Sequence, residues 1–251
     1  MAAVRPFLTA EWRHLVMLSW ACDPALLARF VPAGTALELW NGTAFLSLVG
    51  FRFVGTRVLG VPVPLHRDFD EVNLRCYVRR EVGGEVRRGV VFVREFVPRR
   101  AIAALARLVY NEPYDAAPMT SRVAPAGAPD VAYRWQWAGA WHRVAARASG
   151  APAVPAPGSL DAFIVEHYWG YTRQRDGGTV EYHVMHPPWR LWPVTDWSLE
   201  ADVARLYGAP FAAVVKGTPH CALIAEGSAV TVYRPERIPA SADGAAAGAA
   251  A

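Results

Sequence analysis

Residues 69–78 read Phe-Asp-Glu-Val-Asn-Leu-Arg-Cys-Tyr-Val, and the alternation places Phe69, Glu71, Asn73, Arg75 and Tyr77 on one side of a strand. Val72, Leu74, Cys76 and Val78 take the other side. A solvated strand face draws mostly on Lys, Thr and Ser, so a carboxylate, an amide, a guanidinium and a phenol in succession suit the wall of a pocket. Enclosed beside Phe69 and Tyr77, the Glu71 carboxyl would keep its proton to unusually high pH and serve as a general acid or base. Arg75 would present paired donors to a substrate carboxylate. The competing reading is a solvated face on which Arg75 neutralises Glu71.

Further candidates lie downstream. Arg107 is placed with Arg75 in the carboxylate fork, against the alternative of pairing with Glu112 or Asp115, while Asn73, Tyr77 and Tyr114 are expected to orient the substrate. His186, followed by Pro187-Pro188-Trp189, is expected at the mouth of the pocket, where an imidazole titrates near neutrality; the alternative is a strand-end histidine bonded to backbone. Trp189 is taken as a rim or stacking residue. His183 and His186 are three apart on a predicted strand and face opposite ways, so no metal is expected, nor any other cofactor. Lys216 is the single lysine and sits where a strand end is predicted to enter a turn, a solvated position ill suited to imine chemistry.

The elements that must carry these groups follow from the same patterns. Residues 12–20 alternate as a strand, and Asp23-Pro24 supplies an N-cap with proline at the first helical position for a short helix ending near Val31. Asn41-Gly42, between two apolar-rich segments, predicts a hairpin turn. The Glu71 strand runs to about Arg80, turns at Gly83-Gly84 and returns through 90–96. Residues 101–109 predict a helix with an apolar stripe of Ala101, Leu105, Leu108 and Val109, stopped before Pro113. Strands are predicted around Trp135, around Trp141 and over 179–186, with a loop at 150–158 and a helix capped by Ser159. Ser198 is read as the cap of a helix through Tyr207 that Gly208 stops, and 211–215 and 229–233 as the last strands.

About ten strands and three or four short peripheral helices, joined by hairpins, predict an α+β fold, mostly antiparallel β, in which a closed or conical barrel or curled double sheet surrounds a lumen. Residues 1–238 form a single domain on this reading, and the Ala- and Gly-rich stretch 239–251 is expected to fray.

Composition narrows the function classes. Hydrophobic residues make up 53% of the chain and ten are Trp, enough to fill a core and line a cavity for a small molecule. The net charge of +4 is spread over single arginines and pairs such as Arg79-Arg80, so nucleic acid is not an expected partner. No apolar run approaches the ~18–20 residues that span a bilayer, and the first residues lack the order of a secretory signal, so a cytoplasmic protein without membrane contact is expected. Cys22, Cys76 and Cys221 are read as reduced, buried thiols, and a homo-oligomer is compatible with everything above.

Taken in order, Leu18-Ser19-Trp20, Trp40-Asn41-Gly42, the Phe69-to-Val78 row, Ala106-Arg107 with Pro113-Tyr114-Asp115-Ala116, Glu166-His167-Tyr168, and His186-Pro187-Pro188-Trp189-x-Leu191 resemble the DUF2071, or YqjF-like, family within the acetoacetate decarboxylase-like superfamily. The resemblance spans residues 12–233. It implies a conical, mostly antiparallel barrel enclosing a pocket, with Glu71 as a pocket carboxylate. Members that decarboxylate acetoacetate use a Schiff-base lysine kept neutral in a desolvated, cation-rich site. Tyr114 and Asp115 stand where those lysines would, and a phenol forms no imine.

The resulting expectation is a pocket protein, a lyase- or isomerase-type enzyme acting on a small oxo- or hydroxy-acid by acid–base chemistry. Glu71 would be the acid/base, and Arg75 and Arg107 the clamp. The alternative is a non-catalytic binding or sensing protein that encloses an apolar ligand in the same cavity.

Overall fold

In the computed structural model residues 5–124 and 128–238 are described, and the stretch expected to fray, 239–251, lies outside them. The first strand, β1 (Pro6–Cys22), ends at Asp23, whose carboxylate accepts the Ala25 N–H at 2.8 Å and caps α1 (Pro24–Ala28). After β2 (Ala36–Leu37), Asn41 and Gly42 turn the chain with φ of 49° and 80°, the left-handed pair that suits Asn-Gly. The turn is where the sequence puts it, but it joins only Trp40 to Thr43. The strand that follows, β3 (Ala44–Val58), pairs with β1 and, past the short β4 (Val61–Pro62), with β5 (Phe69–Val82). Gly83 and Gly84 then reverse the chain into β6 (Glu85–Val97), as predicted.

The second half departs further from expectation. On α2 (Arg100–Val109) Ile102, Leu105 and Ala106 line the interior and Ala103 is buried; of the predicted stripe Leu105 and Val109 face inward, while Ala101 and Leu108 are exposed. Beyond β7 (Tyr114–Ala116), β8 (Met119–Val123), β9 (Asp130–Trp137) and β10 (Ala140–Ala148), Ser159 caps α3 (Leu160–Val165), and β11 (Trp169–Arg173) and β12 (Thr179–Met185) follow. Ser198 does not start a helix. It lies within β13 (Leu191–Glu200), which pairs with β10 up to Arg143↔Glu200, and the cap falls at Asp202, before α4 (Val203–Tyr207). Residues 211–215 belong to α5 (Ala209–Val215), not a strand, because Phe211 and Val215, four apart, bury one helical face. The chain closes with β14 (Cys221–Tyr233) and β15 (Glu236–Ile238).

Seven strands in the order β12-β11-β6-β5-β3-β1-β14 form a ring, which β12 closes onto β14 through Val184↔Val232 and Met185↔Thr231. The expected barrel is thus a ring of strands without regular barrel geometry: β1 and β3 share twelve paired positions, the closure has two, and β6 meets β11 in parallel. A second layer, β13-β10-β9-β8, packs on the outside of β1, β3 and β5, burying Val72, Leu74 and Cys76 against Tyr133, Trp135 and Val144. That layer is why the apolar side of β5 is buried as well as its polar side.

One irregularity in the β5–β6 hairpin matters for the interior. Arg75 pairs with Phe92 but Leu74 pairs with Arg94, so Val93 is left unpaired as a bulge. Past it the side chains of β6 exchange faces. Glu95 joins Asn73 on the inside and Arg94 joins Leu74 on the outside.

Among the described residues no helix is long and apolar enough to cross a membrane, and all three cysteines are free.

Candidate functional site

The inner row of β5 lines a cavity of about 130 Å³ enclosed by the ring. That is close to the ~150 Å³ hollow that holds a benzene in an engineered protein, so the space fits a molecule of a few carbons. Of the eight site residues expected from the sequence, Glu71, Asn73, Arg75, Tyr114, His186 and Trp189 line it.

Tyr77 and Arg107 do not. Tyr77 is fully buried in the wall, its hydroxyl 2.6 Å from that of Ser47 and its ring against Phe163 and His167, so it props the site instead of facing a ligand. Arg107 sits on the outer side of α2, because Ile102, Leu105 and Ala106 take the inner one; its side chain is 55% exposed and donates to Asp115 at 2.6 Å. The helix phase thus turns Arg107 away from the cavity that Arg75 lines. Lys216 caps the C-terminus of α5, and no lysine lines the cavity.

Glu71 accepts hydrogen bonds from Asn73 Nδ2 and from the Tyr114 hydroxyl, both at 2.9 Å. Burial raises its pKa to about 7, although both bonds and the charge of Arg75 pull it down. Two more carboxylates share this interior. Glu112 accepts from the Tyr182 hydroxyl, and burial, reinforced by the charge of Glu71, lifts it to about 8. Glu95, whose carboxyl oxygens have no hydrogen-bond partner, is driven well above the carboxylate range by burial and by Glu112 and Glu71. The three carboxyls share protons that free ones would have lost, which avoids three anions in one dry space.

Arg75 is 9% exposed, and among the described residues no ion pair engages it. Its guanidinium reaches Ile164 O at 3.5 Å and the Met17 sulfur at 3.9 Å, and Nε has no partner. The anticipated Glu71–Arg75 pair does not form.

His186 is bonded through Nδ1 to Pro187 O at 2.9 Å and stacked 4.2 Å from Trp189; burial lowers its pKa, so it faces the cavity as a neutral, backbone-anchored ring. Trp189 donates to Ser228 Oγ at 2.9 Å and contributes its ring to the wall. Trp12, Phe51, Phe53 and Phe69 complete the apolar lining. Tyr182 reaches Glu112 only because Gly170 lies under its ring, where a Cβ would fall 2.0 Å from Cζ. Among the described residues no three His, Cys, Asp or Glu side chains are grouped so that they could hold a metal ion.

Tyr182 and His167, which line the cavity, and Glu95, buried beside it, were not among the candidates expected from the sequence. For Glu95 the signal was an Arg94-Glu95 pair set between the apolar run Val90-Val91-Phe92-Val93 and Phe96-Val97.

The ring with its enclosed cavity is the fold of acetoacetate decarboxylase-like proteins. The acetoacetate decarboxylase of Legionella pneumophila superposes with a TM-score of 0.67 at 14% identity, covering 93% of this chain and 87% of that one. The enduracididine biosynthesis enzyme MppR complexed with pyruvate superposes at 0.62 and 13% identity, covering 95% and 93%. At the level of sequence, residues 9–229 match the DUF2071 model of uncharacterized conserved proteins, and the chain belongs to that family. It is 30% identical over 181 residues to the uncharacterized protein YqjF of Bacillus subtilis (strain 168), covering 72% of this chain and 73% of YqjF.

Proposed function

We propose that the cavity binds a small oxo- or hydroxy-acid and that the protein is a lyase- or isomerase-type enzyme working by proton transfer. The observation that carries this reading is Arg75, a buried guanidinium facing the hollow without a carboxylate partner, on the same strand face as Glu71, whose carboxyl titrates at about 7. A substrate carboxylate supplies the counter-charge that Arg75 lacks. Glu71, poised between its two protonation states and oriented by Asn73 and Tyr114, can take a proton from a neighbouring carbon or oxygen and return it. The lining holds no amine, so nothing in this reading passes through an imine. The ligand class finds support in the fold relatives, one named for acetoacetate and another complexed with pyruvate. The three free thiols fit a cytoplasmic site of action.

The test is calorimetry with a panel of small oxo- and hydroxy-acids, followed by hydrogen–deuterium exchange at the carbon next to the carbonyl or carbinol, read by NMR. Glu71→Gln is expected to bind within about threefold of wild type while exchange falls by about 100-fold or more. Binding without exchange in the wild-type protein would leave the alternative, a sensing or binding protein. That alternative draws on the aromatic wall of Trp12, Phe51 and Phe53, and it predicts apolar ligands whose affinity ignores Arg75.

A further inference from the structure

One group in the cavity wall has no part in the chemistry above. His167, just past α3, sets Nε2 2.9 Å from Glu38 Oε2, and Glu38 also accepts from Arg88 Nε at 2.5 Å. Against the upward pull of burial, the bonds from His167 and Arg88 hold the Glu38 carboxyl below its ordinary range. An ionised Glu38 keeps the imidazole proton on Nε2, which leaves the lone pair on Nδ1. The ring is clamped between Tyr77, 4.6 Å away, and the edge of Phe163 at 5.4 Å. Its side chain is 2% exposed, and Nδ1 has no hydrogen-bond partner. Burial presses the pKa down to about 4, so the ring stays neutral and Nδ1 stays an acceptor.

His167 is also a neighbour of the anion anchor. Arg75 lies over the same Tyr77 ring, 5.7 Å from its centroid, and its Nη2 reaches the carbonyl of Ile164, three residues before His167. A second unpartnered acceptor, Asn73 Oδ1, sits one step along the same strand face from Arg75. A carboxylate on Arg75 therefore brings its adjacent carbon to a wall that presents buried lone pairs. A 2-oxo acid offers only another acceptor there, which leaves those lone pairs unmatched, whereas a 2-hydroxy acid offers an O–H.

We propose that His167 Nδ1 receives the hydroxyl of the bound acid, so that the cavity takes 2-hydroxy acids in preference to their 2-oxo counterparts. This specificity rests on the Arg75 carboxylate site proposed above.

Calorimetric titration of the full chain with matched 2-hydroxy and 2-oxo acids of three to five carbons tests it. The wild-type protein is expected to bind the hydroxy member about tenfold or more tightly. Arg75→Gln should weaken both members alike. His167→Phe should bring the preference to within about twofold, and His167→Asn, whose Oδ1 can stand in for Nδ1, should retain it. Because the phenylalanine variant strands Glu38 and can fail to fold, a second readout uses the wild-type protein: the 15N resonance of His167 Nδ1 should move upfield with the hydroxy acid and not with the oxo acid. Equal, Arg75-dependent binding of the two acids overturns the assignment of His167 and leaves the carboxylate site standing. Absence of binding by either acid, or binding indifferent to Arg75, overturns both.

Discussion

Arg75→Met should make the protein more stable and empty its cavity of acid ligands. In the free protein the guanidinium is enclosed, with one bond of 3.5 Å to Ile164 O, one sulfur contact at 3.9 Å, and an unpartnered Nε. Leaving a buried charged donor short of partners costs about 1–3 kcal/mol, and two long contacts contribute at most about 1 kcal/mol in return. Methionine fills the stem of the arginine with apolar atoms and needs no partner. Glu71 is not stranded by the change: it loses an attraction that lowers its pKa, and so takes up its proton more readily. The balance is a stabilisation of about 1–2 kcal/mol, which for a chain of this size raises Tm by about 2–8 °C. Urea unfolding and thermal melting at pH 7 without ligand measure it. The same variant should lose about 100-fold in affinity for carboxylic acids, since a charge-assisted pair is worth roughly 3 kcal/mol. If Arg75→Met unfolds more easily than wild type by over about 1 kcal/mol, the guanidinium is already satisfied in the free protein, and the argument for a waiting anion site fails.

Three further outcomes follow from the interior and its surroundings. Glu71 at about 7, Glu112 at about 8 and Glu95 above the carboxylate range all bind protons more tightly folded than unfolded, so their stabilisation is complete in acid and is lost as pH rises through those values. Buried histidines with lowered pKa, His167 among them, act in the opposite sense below about 6.5, so pH 7–8 isolates the carboxylates. Over that interval unfolding free energy should drop by about 1–2 kcal/mol, and Glu112→Gln should flatten the slope; a rise in stability would contradict the shared-proton trio. Gly170→Ala should destabilise by about 1–3 kcal/mol in urea, because its Cβ would meet the Tyr182 ring at 2.0 Å; a loss below about 0.5 kcal/mol would mean that the ring has room to move. Arg107→Ala, which breaks only an exposed pair with Asp115, should change stability by less than about 0.5 kcal/mol and leave acid affinity within twofold, whereas a large loss of affinity would return Arg107 to the clamp.

The polar row of β5 was legible because alternation survives whatever the strand packs against, and Asp23-Pro24, Asn41-Gly42 and Gly83-Gly84 were legible because each solves a local backbone problem. What failed was set by partners far along the chain. Ser198 looks like a helix cap until β10 is laid beside it, and Phe211–Val215 looks like a strand until the glycine and proline before it start a helix. Arg107 was misplaced because an apolar stripe on a ten-residue helix can be drawn with either of two phases, and only the ring shows which one is buried. Among the site residues, Glu71, Asn73 and Arg75 came from one strand. His167 needed Glu38 from 129 positions away to reveal what its ring is for.

The unpaired Val93 has a consequence for how such a cavity can change. Arg94 and Glu95 are adjacent, and the bulge alone decides which of them points at Asn73. Deleting Val93 would leave Arg94 opposite Leu74 and Glu95 opposite Asn73 in an unbroken ladder, so the acid keeps its inward position with one residue fewer. What exchanges the two is a slip of the strand end by one position with Val93 kept in the ladder, which sets Arg94 opposite Asn73 and turns Glu95 outward, reversing the sign of charge beside the guest without any change of sequence.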